Sequence, residues 1–468
     1  MQAILLVGVA AIMLAAPTIS LAENSGEAQD VTQLSSAVTK ADGSAVKRTR
    51  DHKLETYAKY GAGEAFALAW GAEAGVRTAY VKWYAQTDCA ILVQSGANGE
   101  ELSRETLDHP NYNDTLAILP EARGLKLSCE SGMQIAEVTL YSEGTLPDGV
   151  YDWLPPQKKA DLLVVSAHCD DELIYFGGTI PYYAGEKKLA VQVVYMANAD
   201  RARVDEALNG LWHAGVRNAP VFLPLKDAYT ETLRLALLNW GEEETTGMLV
   251  GLIRRFQPEV IVSHDLNGEY GHGAHRATAH CLFNAVPLAA DAAEFPDSAA
   301  KYGAWQAQKL YLHLYPENQI TMDWNKPLAA FGGKTALMVA NEAYHMHVSQ
   351  LEYHKDVAEG GDYSSLLFGL AYTAVGADVE KNDFFEHIDP ARLSNYIAPS
   401  PEQTAQPTPI PTVAASASVS PAPTQEQRAP SVNPEQTQAL RGLTAIAFVV
   451  LAAAALISLK ARQKKKNS

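Results

Sequence analysis

The chain has 468 residues, of which 47% are hydrophobic and 19% are charged. This composition is ordinary for folded domains, and the length leaves room for two or three of them. Aspartate and glutamate outnumber lysine and arginine by 54 to 37, which gives a formal net charge of -17. Because an acidic surface repels a phosphate backbone, we expect no nucleic-acid partner.

The first 22 residues are predicted to be a secretory signal peptide. An apolar run covers residues 3–16, and the small-residue sequence Ser20-Leu21-Ala22 precedes Glu23. The segment before this run carries no lysine or arginine, so a true start further upstream and an uncleaved anchor are the two alternatives. Residues 23–49 are polar and small, which predicts a flexible lead.

Residues 50–145 predict a β-sandwich. Alternating runs such as 79–84 and 135–141 are separated by turn residues. The pattern is similar to the galactose-binding, discoidin-type modules often attached to extracellular enzymes. Trp83 and Tyr84 are candidates for stacking on a sugar, although an aromatic residue in an alternating strand more often faces the core. A glycan-binding role and a structural role both stay open.

Residues 155–395 predict an α/β domain in which strands and helices alternate. The apolar runs predict strands at residues 162–167, 190–196, 219–223, 259–264 and 310–315, with helices near 178–187, 203–214, 245–257 and 274–285. This order gives a Rossmann-like, mostly parallel sheet with its site at the carboxyl edge. The motif Gly-x-Gly-x-x-Gly is absent from the sequence, so no nicotinamide or flavin is expected.

Metal-binding side chains follow two of these strands. The first strand leads into Ala167-His168-Cys169-Asp170-Asp171-Glu172, and the second leads into the loop between His264 and His275. Imidazole and carboxylate groups suit zinc or ferrous iron, and a catalytic zinc usually takes three protein ligands. His168 and Asp171 are three residues apart, so both can face one ion. Either His272 or His275 is the predicted third ligand.

The adjacent carboxylates Asp170 and Asp171 must point in different directions, so one can bind metal while the other accepts a proton. A bound divalent metal makes water a usable nucleophile near neutral pH. Asp170 is the predicted general base, and the spare histidine would protonate the leaving group or stabilise an oxyanion. Two histidines with one carboxylate also form the facial triad of non-haem iron oxygenases, but the usual β-barrel and His-x-Asp spacing are missing.

These motifs resemble those of the PIG-L or LmbE-like zinc-dependent N-acetylglucosaminyl deacetylases, which read Ala-His-Pro-Asp-Asp-Glu and His-Pro-Asp-His. The resemblance covers roughly residues 161–388. It implies three ligands for zinc, or for Fe²⁺ or another divalent metal, which are His168, Asp171 and His275. It also implies three catalytic residues, which are the general base Asp170, the histidine His272 that supports the oxyanion or leaving group, and Tyr270 over the substrate carbonyl.

The chain departs from the family motifs at two places. Cys169 replaces the usual proline, and Gly273-Ala274 replaces Pro-Asp between the two histidines. The first change predicts a looser turn, and the second deletes a carboxylate that could orient a histidine. Cys169 is not expected to be a thiolate ligand, because its neighbours already supply the metal set. Glu172 is predicted to cap or salt-bridge the first turn of the helix that follows.

Two further histidines have open or structural roles. His264 is predicted to be a hydrogen-bonded structural residue rather than a ligand. His347 falls on a predicted helix at residues 341–354, where an apolar, a solvated and a substrate-facing position are all open. Cys89 and Cys129 lie in predicted strands and would be able to pair in an oxidising compartment.

The carboxyl-terminal part predicts attachment to a membrane. Residues 398–438 are rich in proline, threonine, serine, alanine and glutamine and predict an extended stalk. Residues 442–459 are uncharged and apolar and just long enough to span a bilayer. The basic tail at 460–468 is predicted to stay in the cytoplasm. We therefore expect a single-pass cell-membrane protein with an extracellular catalytic part.

The expected function is metal-dependent removal of the N-acetyl group from an N-acetylglucosamine-type sugar or glycoconjugate, such as a cell-wall glycan, at the cell surface. The substrate class comes from the resemblance, whereas the residues alone indicate only metal-assisted hydrolysis. The alternative from a different class is a surface glycan-binding or adhesion protein with a decayed deacetylase site.

Overall fold

The structure is a computed structural model, and it describes residues 26–38, 47–87, 89–108 and 111–394. Within these ranges no helix is both long and apolar enough to cross a bilayer. Four predicted segments lie outside the described residues, namely the signal peptide at 1–22, the stalk at 398–438, the transmembrane helix at 442–459 and the basic tail at 460–468.

Nine strands build the amino-terminal part of the described chain. They are β1 (Ser35–Ala37), β2 (Ala58–Tyr60), β3 (Ala65–Trp70), β4 (Val76–Trp83), β5 (Cys89–Ser95), β6 (Glu101–Asp108), β7 (Asn113–Ala117), β8 (Gly124–Ser128) and β9 (Met133–Ser142). One antiparallel sheet has the order β1-β3-β8-β5-β6 and the other has the order β2-β9-β4-β7. Inward side chains of both sheets share one core, as the alternating pattern predicts.

Residues 26–38 differ from the flexible lead that their composition predicts. β1 pairs antiparallel with β3, Ala28 is buried, and Asp30 accepts the backbone N–H of Thr32 at 2.9 Å. A strand at a sheet edge offers free backbone donors and acceptors, so a polar segment can pair with it without an apolar pattern of its own.

Trp83 is a core residue and is not available for stacking on a sugar. It is fully buried between the sheets, and its indole N–H donates to Asp114 Oδ2 at 2.6 Å. Tyr84 stacks on Tyr57 with ring centroids 4.0 Å apart. Cys129 carries a free thiol whose Sγ lies 3.1 Å from Ser131 Oγ, so it forms no disulfide.

Seven strands form the second part, and five of them are parallel. They are β10 (Leu162–Ser166), β11 (Val191–Ala197), β12 (Val221–Leu225), β13 (Val260–Ser263), β14 (Lys309–His313), β15 (Gln319–Thr321) and β16 (Leu367–Thr373). The sheet has the order β12-β11-β10-β13-β14-β16-β15, with β16 antiparallel to β14 and β15. β10 and β13 are buried on both faces, as their continuous apolar runs predict.

The helices lie around this sheet. They are α1 (Asp171–Ile174), α2 (Arg201–His213), α3 (Leu233–Trp240), α4 (Glu242–Phe256), α5 (Gly273–Ala290), α6 (Pro296–Tyr302) and α7 (Ala336–Tyr344). The helix predicted near 178–187 is instead a π-helix at Pro181–Glu186. The helix predicted at 341–354 ends at Tyr344, because the chain tightens there and the N–H of His347 donates to Tyr344 O, three residues back.

A buried charge cluster joins the sandwich to α2. The Arg201 guanidinium donates to Trp83 O at 2.7 Å and lies 3.6 Å from Asp205 Oδ1. Lys82 Nζ lies 3.0 Å from Asp205 Oδ2, and Asn113 Nδ2 donates to Asp205 Oδ1 at 3.0 Å. Lys82 and Asn113 of the sandwich therefore both bind Asp205 in the first turns of α2. The two parts share a structural junction at this residue.

Replacing Arg201 with methionine should lower the free energy of unfolding by about 3 kcal/mol or more, because it leaves a buried Asp205 carboxylate with fewer partners. Chemical denaturation followed by circular dichroism would measure the change. Arg104→Met is the matched control, since its ion pair with Glu101 is exposed to solvent and should contribute little to stability. Equal, small effects of both substitutions would contradict a stabilising junction.

Candidate active site

Three side chains converge at the carboxyl edge of the parallel sheet. His168 Nδ1 lies 2.9 Å from Asp171 Oδ2, and His275 Nε2 lies 3.2 Å from the same oxygen. The two imidazole nitrogens are 3.3 Å apart. These are the three residues that the resemblance assigns to the metal, and they face one point.

Two strand ends position this set. His168 lies in the turn that follows β10. The backbone N–H of His168 donates to Asp171 Oδ2 at 2.9 Å and so stabilises this turn. Asp171 begins α1, and His275 lies in the first turn of α5 after the loop that leaves β13. Because β10 and β13 are parallel neighbours, the residues after them meet at the same sheet edge.

The electrostatics of this set favour a cation. Burial alone would raise the pKa of Asp171, but His275 and His168 outweigh it and hold that pKa well below its usual range. Burial would likewise lower the pKa of His275, but Asp171 and Glu269 raise it to about 10. The ionised Asp171 carboxylate therefore attracts a cation to the point that the three side chains surround.

The donor set fits zinc. Ligand atoms about 2.0–2.2 Å from a tetrahedral zinc lie roughly 3.4 Å from one another, close to the separations found here. His168, Asp171 and His275 supply two imidazole nitrogens and one carboxylate oxygen, a combination that zinc and ferrous iron both accept. His272 belongs to a second possible set with His168 and His275, and His264 to one with Asp171 and His275.

Backbone hydrogen bonds argue against His264 and His272 as ligands. The N–H of Ala167 donates to His264 Nε2 at 2.8 Å, so that nitrogen is already occupied, in keeping with the predicted structural role. The N–H of Ala274 donates to His272 Nδ1 at 3.2 Å, which leaves Nε2 of His272 to carry the proton. His275 Nε2 instead faces both His168 Nδ1, at 3.3 Å, and Asp171 Oδ2, at 3.2 Å.

Asp170 lies beside the metal set in an unusual backbone conformation. Its φ of 127° costs a non-glycine residue of order 1–3 kcal/mol. The conformation is held by Glu172 Oε2, which accepts the N–H of Asp170 at 3.0 Å, and Tyr195 donates to the other Glu172 oxygen at 2.7 Å. Glu172 therefore acts within the first helical turn, where it was predicted to cap. It holds the residue that we predict to be the general base.

Arg203 contacts Asp170 from α2, a role that the sequence did not indicate. Arg203 Nη2 lies 3.3 Å from Asp170 Oδ1 and donates to Cys169 O at 2.9 Å. Cys169 itself is buried in the core, and burial followed by the Glu172 charge raises the pKa of its thiol well above the usual range. It is therefore a packing residue, and the hydrogen-bonded turn does not depend on the missing proline.

His272 and Tyr270 border the metal set. The His272 ring centroid lies 4.8 Å from that of His168, and the Tyr270 ring lies 5.6 Å from His272. Burial and the neighbouring His275 lower the pKa of His272 to about 3, so the ring is neutral with its proton on Nε2. The Tyr270 ring is partly exposed, and its backbone φ of 46° turns the loop back over the site.

Glu269 replaces the carboxylate that the Gly273-Ala274 departure removes. It is fully buried and accepts from His275 Nδ1 at 2.7 Å, which orients the ring whose other nitrogen faces the metal set. Its oxygens also lie 2.9 Å from His264 Nδ1 and 2.7 Å from His313 Nδ1. Sequence reasoning assigned Glu269 no role. The signal available was His313 at the end of β14, a third histidine at the same edge of the sheet.

Replacing Glu269 with glutamine should weaken metal binding by about 10- to 100-fold, because the His275 ring would lose the charged acceptor that orients it. Metal retention during titration with a chelator would measure the change. Glu317→Gln is the matched control, since that glutamate is exposed on the surface. Unchanged retention in the Glu269 variant would show that His275 needs no carboxylate partner.

A cavity of about 410 Å³ opens above the metal set. Its lining includes Asp170, Asp171 and Arg203. Asp227 also lines it, and Asp227 Oδ1 lies 3.6 Å from His168 Nε2. Asp227 is a third polar residue, after Arg203 and Glu269, whose place at the site the sequence did not indicate. His347 does not line the cavity, because it is fully buried and stacks on Tyr344.

Comparison with known proteins agrees with the motifs. Residues 163–286 match the family model PIG-L, described as GlcNAc-PI de-N-acetylase. A 1D-myo-inositol 2-acetamido-2-deoxy-alpha-D-glucopyranoside deacetylase 1 from Catenulispora acidiphila is 29% identical over 202 residues, which cover 37% of this chain and 61% of that protein. The chain spans about three-fifths of the length of the curated relatives it matches.

Two solved structures are also similar. An N,N'-diacetylchitobiose deacetylase from Pyrococcus horikoshii is 19% identical in sequence, with a TM-score of 0.32. The matched region covers 43% of this chain and 74% of the deacetylase chain. A fucose binding module from Streptococcus pneumoniae is 11% identical, covers 25% of this chain and 96% of its own, and has a TM-score of 0.20. At these TM-scores neither likeness carries an argument about function.

Proposed function

On the premise that residues 163–286 form a PIG-L domain, we propose that this protein is a metal-dependent N-deacetylase. Its substrate is an N-acetylglucosamine-type sugar or glycoconjugate, from which it releases acetate and a free amine. One observation carries the proposal, namely the convergence of His168, Asp171 and His275 within 3.3 Å beside a further carboxylate, that of Asp170. The facial-triad oxygenase alternative finds no support in the family match.

His168, Asp171 and His275 would hold the metal, for which zinc fits best. When bound, the ion would supply Lewis acidity at the amide carbonyl and lower the pKa of water nearby. Burial and the charge of Asp171 raise the pKa of Asp170 well above its usual range, which suits a group that takes up a proton. In the proposed reaction Asp170 accepts one proton from the attacking water.

The remaining steps use His272 and Asp170. The Nε2–H of His272 donates a hydrogen bond to the carbonyl oxygen as negative charge develops there. The water oxygen forms the new bond to the carbonyl carbon, and the carbon–nitrogen bond breaks. Asp170 passes its proton to the departing nitrogen, so acetic acid and a neutral amine leave. The acetic acid then loses its own proton to solvent and becomes acetate. Tyr270 is proposed to face the same carbonyl from the loop.

The substrate class is supported by two features. The relative from Catenulispora acidiphila is named as a deacetylase of an acetamido sugar linked to inositol. The cavity in this chain has charged groups of both signs in Arg203 and Asp227, which are able to bind sugar hydroxyls. An outward-facing position at the cell membrane is part of the proposal and rests on the terminal segments of the sequence. A surface glycan-binding protein with a decayed site stays the alternative.

Acetate release by the purified full-length chain, loaded with zinc and then with Fe²⁺, tests the proposal against a panel of N-acetylglucosamine-containing glycans. Release that the His275→Ala variant lacks would support the deacetylase. No release from any glycan by a protein with bound metal would overturn it, and glycan binding by the metal-free protein would then favour the alternative.

A further inference from the structure

The exposed tyrosines in the described part of the chain cluster at one place. Four tyrosines of the described residues are exposed, which are Tyr229, Tyr270, Tyr353 and Tyr363. Tyr270, Tyr353 and Tyr363 line the cavity above the metal set, and the Tyr229 ring lies 5.1 Å from the cavity residue His272. A single exposed aromatic residue is ordinary, but a group around one opening marks a binding surface.

Tyr353 and Tyr363 are the outermost of the cavity-lining tyrosines that have no catalytic assignment. The Tyr353 side chain is 72% exposed and the Tyr363 side chain is 39% exposed. The Tyr363 ring lies edge-on to the buried ring of Tyr175, with centroids 6.4 Å apart. The two rings therefore form an aromatic rim that begins inside the cavity and continues into solvent.

The backbone beneath this rim is held in place. The N–H of Tyr353 donates to Gln350 O at 2.9 Å, and Ser349 Oγ donates to Glu206 on α2 at 2.7 Å. After Tyr363, the N–H of Ser365 donates to Ala358 O at 3.2 Å. Tyrosine offers a large, rigid contact area and loses little conformational entropy on binding, so a fixed backbone makes these rings an efficient platform.

The lining of the cavity decides what reaches the two tyrosines. Asp171, Tyr353 and Tyr363 line one cavity of about 410 Å³, a volume within the range of ligand pockets. With the N-acetylated sugar beside the metal set, a further sugar of the same substrate lies toward the opening, against Tyr353 and Tyr363. The apolar face of a sugar ring can pack on an aromatic face while the phenol hydroxyl reaches the sugar hydroxyls.

We propose that Tyr353 and Tyr363 form an outer subsite that binds the sugar next to the N-acetylated one, so the substrate is an oligosaccharide or glycan chain. This inference rests on the proposed deacetylase function and narrows its substrate class. The catalytic set removes the acetyl group, and the outer subsite selects substrates that extend beyond the N-acetylated sugar.

The test compares kcat/KM for acetate release from N-acetylglucosamine and from N,N',N''-triacetylchitotriose, using the full-length protein. The wild type should favour the trisaccharide by about 10-fold or more, and Tyr353→Ala and Tyr363→Ala should bring that preference close to one. Tyr353→Phe keeps the ring and should keep the preference. Leu238→Ala, exposed but outside this cavity, is the control and should behave as the wild type.

The possible results distinguish failure of the outer subsite from failure of the proposed deacetylase function. Equal kcat/KM on both sugars in the wild type would overturn the outer subsite and leave the deacetylase intact. A preference that survives both alanine substitutions would also overturn it. Failure to release acetate from either sugar would overturn the deacetylase itself, and with it the outer subsite.

Discussion

The His275→Ala variant is expected to lose its bound metal and to retain less than about one-thousandth of the wild-type kcat/KM. His275 supplies the imidazole nitrogen that lies 3.2 Å from Asp171 Oδ2 and 3.3 Å from His168 Nδ1, so its removal leaves two metal-binding side chains. Metal Lewis acidity contributes several kcal/mol to such a reaction, and each 1.36 kcal/mol is worth about tenfold in rate. Metal content by mass spectrometry and acetate release would measure both effects.

His280→Ala is the matched control for this prediction. His280 lies on the same helix, α5, but its ring contacts Glu242 at 2.6 Å on the outer surface. It should keep both metal and activity, so a loss confined to the His275 variant would exclude general damage to α5. A His275 variant that still holds stoichiometric metal would contradict the assigned ligand set.

The Asp170→Asn variant should keep its metal and lose about 10²- to 10⁴-fold in kcat, the usual contribution of a general base. Asparagine preserves the size of the side chain, and the N–H that Glu172 accepts belongs to the backbone. The substitution therefore removes the proton-accepting carboxylate and leaves the turn in place. Single-turnover acetate release, together with metal content, would separate the loss of chemistry from the loss of metal.

Asp297→Asn, at an exposed position on α6, is the control for a loss of one negative charge. Full activity in the Asp170 variant would show that another group takes the proton. Loss of metal from that variant would instead place Asp170 among the ligands, since its side chain lies next to Asp171.

The departures from the family motifs have different consequences in the structure. The carboxylate missing from Gly273-Ala274 is replaced by Glu269, which contacts His275 Nδ1 at 2.7 Å from the opposite end of the loop. The proline missing at Cys169 is replaced by a buried thiol in a turn that His168 and Asp171 hold together. Neither departure therefore removes a contact that the metal set requires, which counts against a decayed site.

Much of the catalytic domain follows from local pattern alone. Continuous apolar runs indicate the buried strands β10 and β13, because a parallel strand covered on both faces has no polar side. Once both strands belong to one sheet, the residues after them must share an edge, so the meeting of His168 with His275 was predictable. The alternating runs of residues 50–145 indicate the strands of the sandwich in the same way, because a strand of a sandwich buries one face against the core.

Other features depend on contacts between distant segments. Glu269 gains its role only because His275 and His313, the latter 44 residues away, come within hydrogen-bonding distance. Arg203 reaches Asp170 because α2 packs beside the turn, and no spacing along the chain indicates that approach. The local sequence pattern does not predict such hydrogen-bonded pairs of side chains, because the packing of whole helices and strands brings them together.

By itself the sequence indicated which strands carry the motifs and predicted the candidate metal ligands and the general base, because periodicity and residue chemistry are local properties. Tertiary structure alone decided which histidine faces the metal set. Three histidines lie near that point, and the hydrogen bonds from Ala167 and Ala274 engage two of them, whereas His275 Nε2 faces Asp171 and His168. It also decided that the polar lead at residues 26–38 pairs with a sheet edge, since backbone pairing does not depend on side-chain pattern.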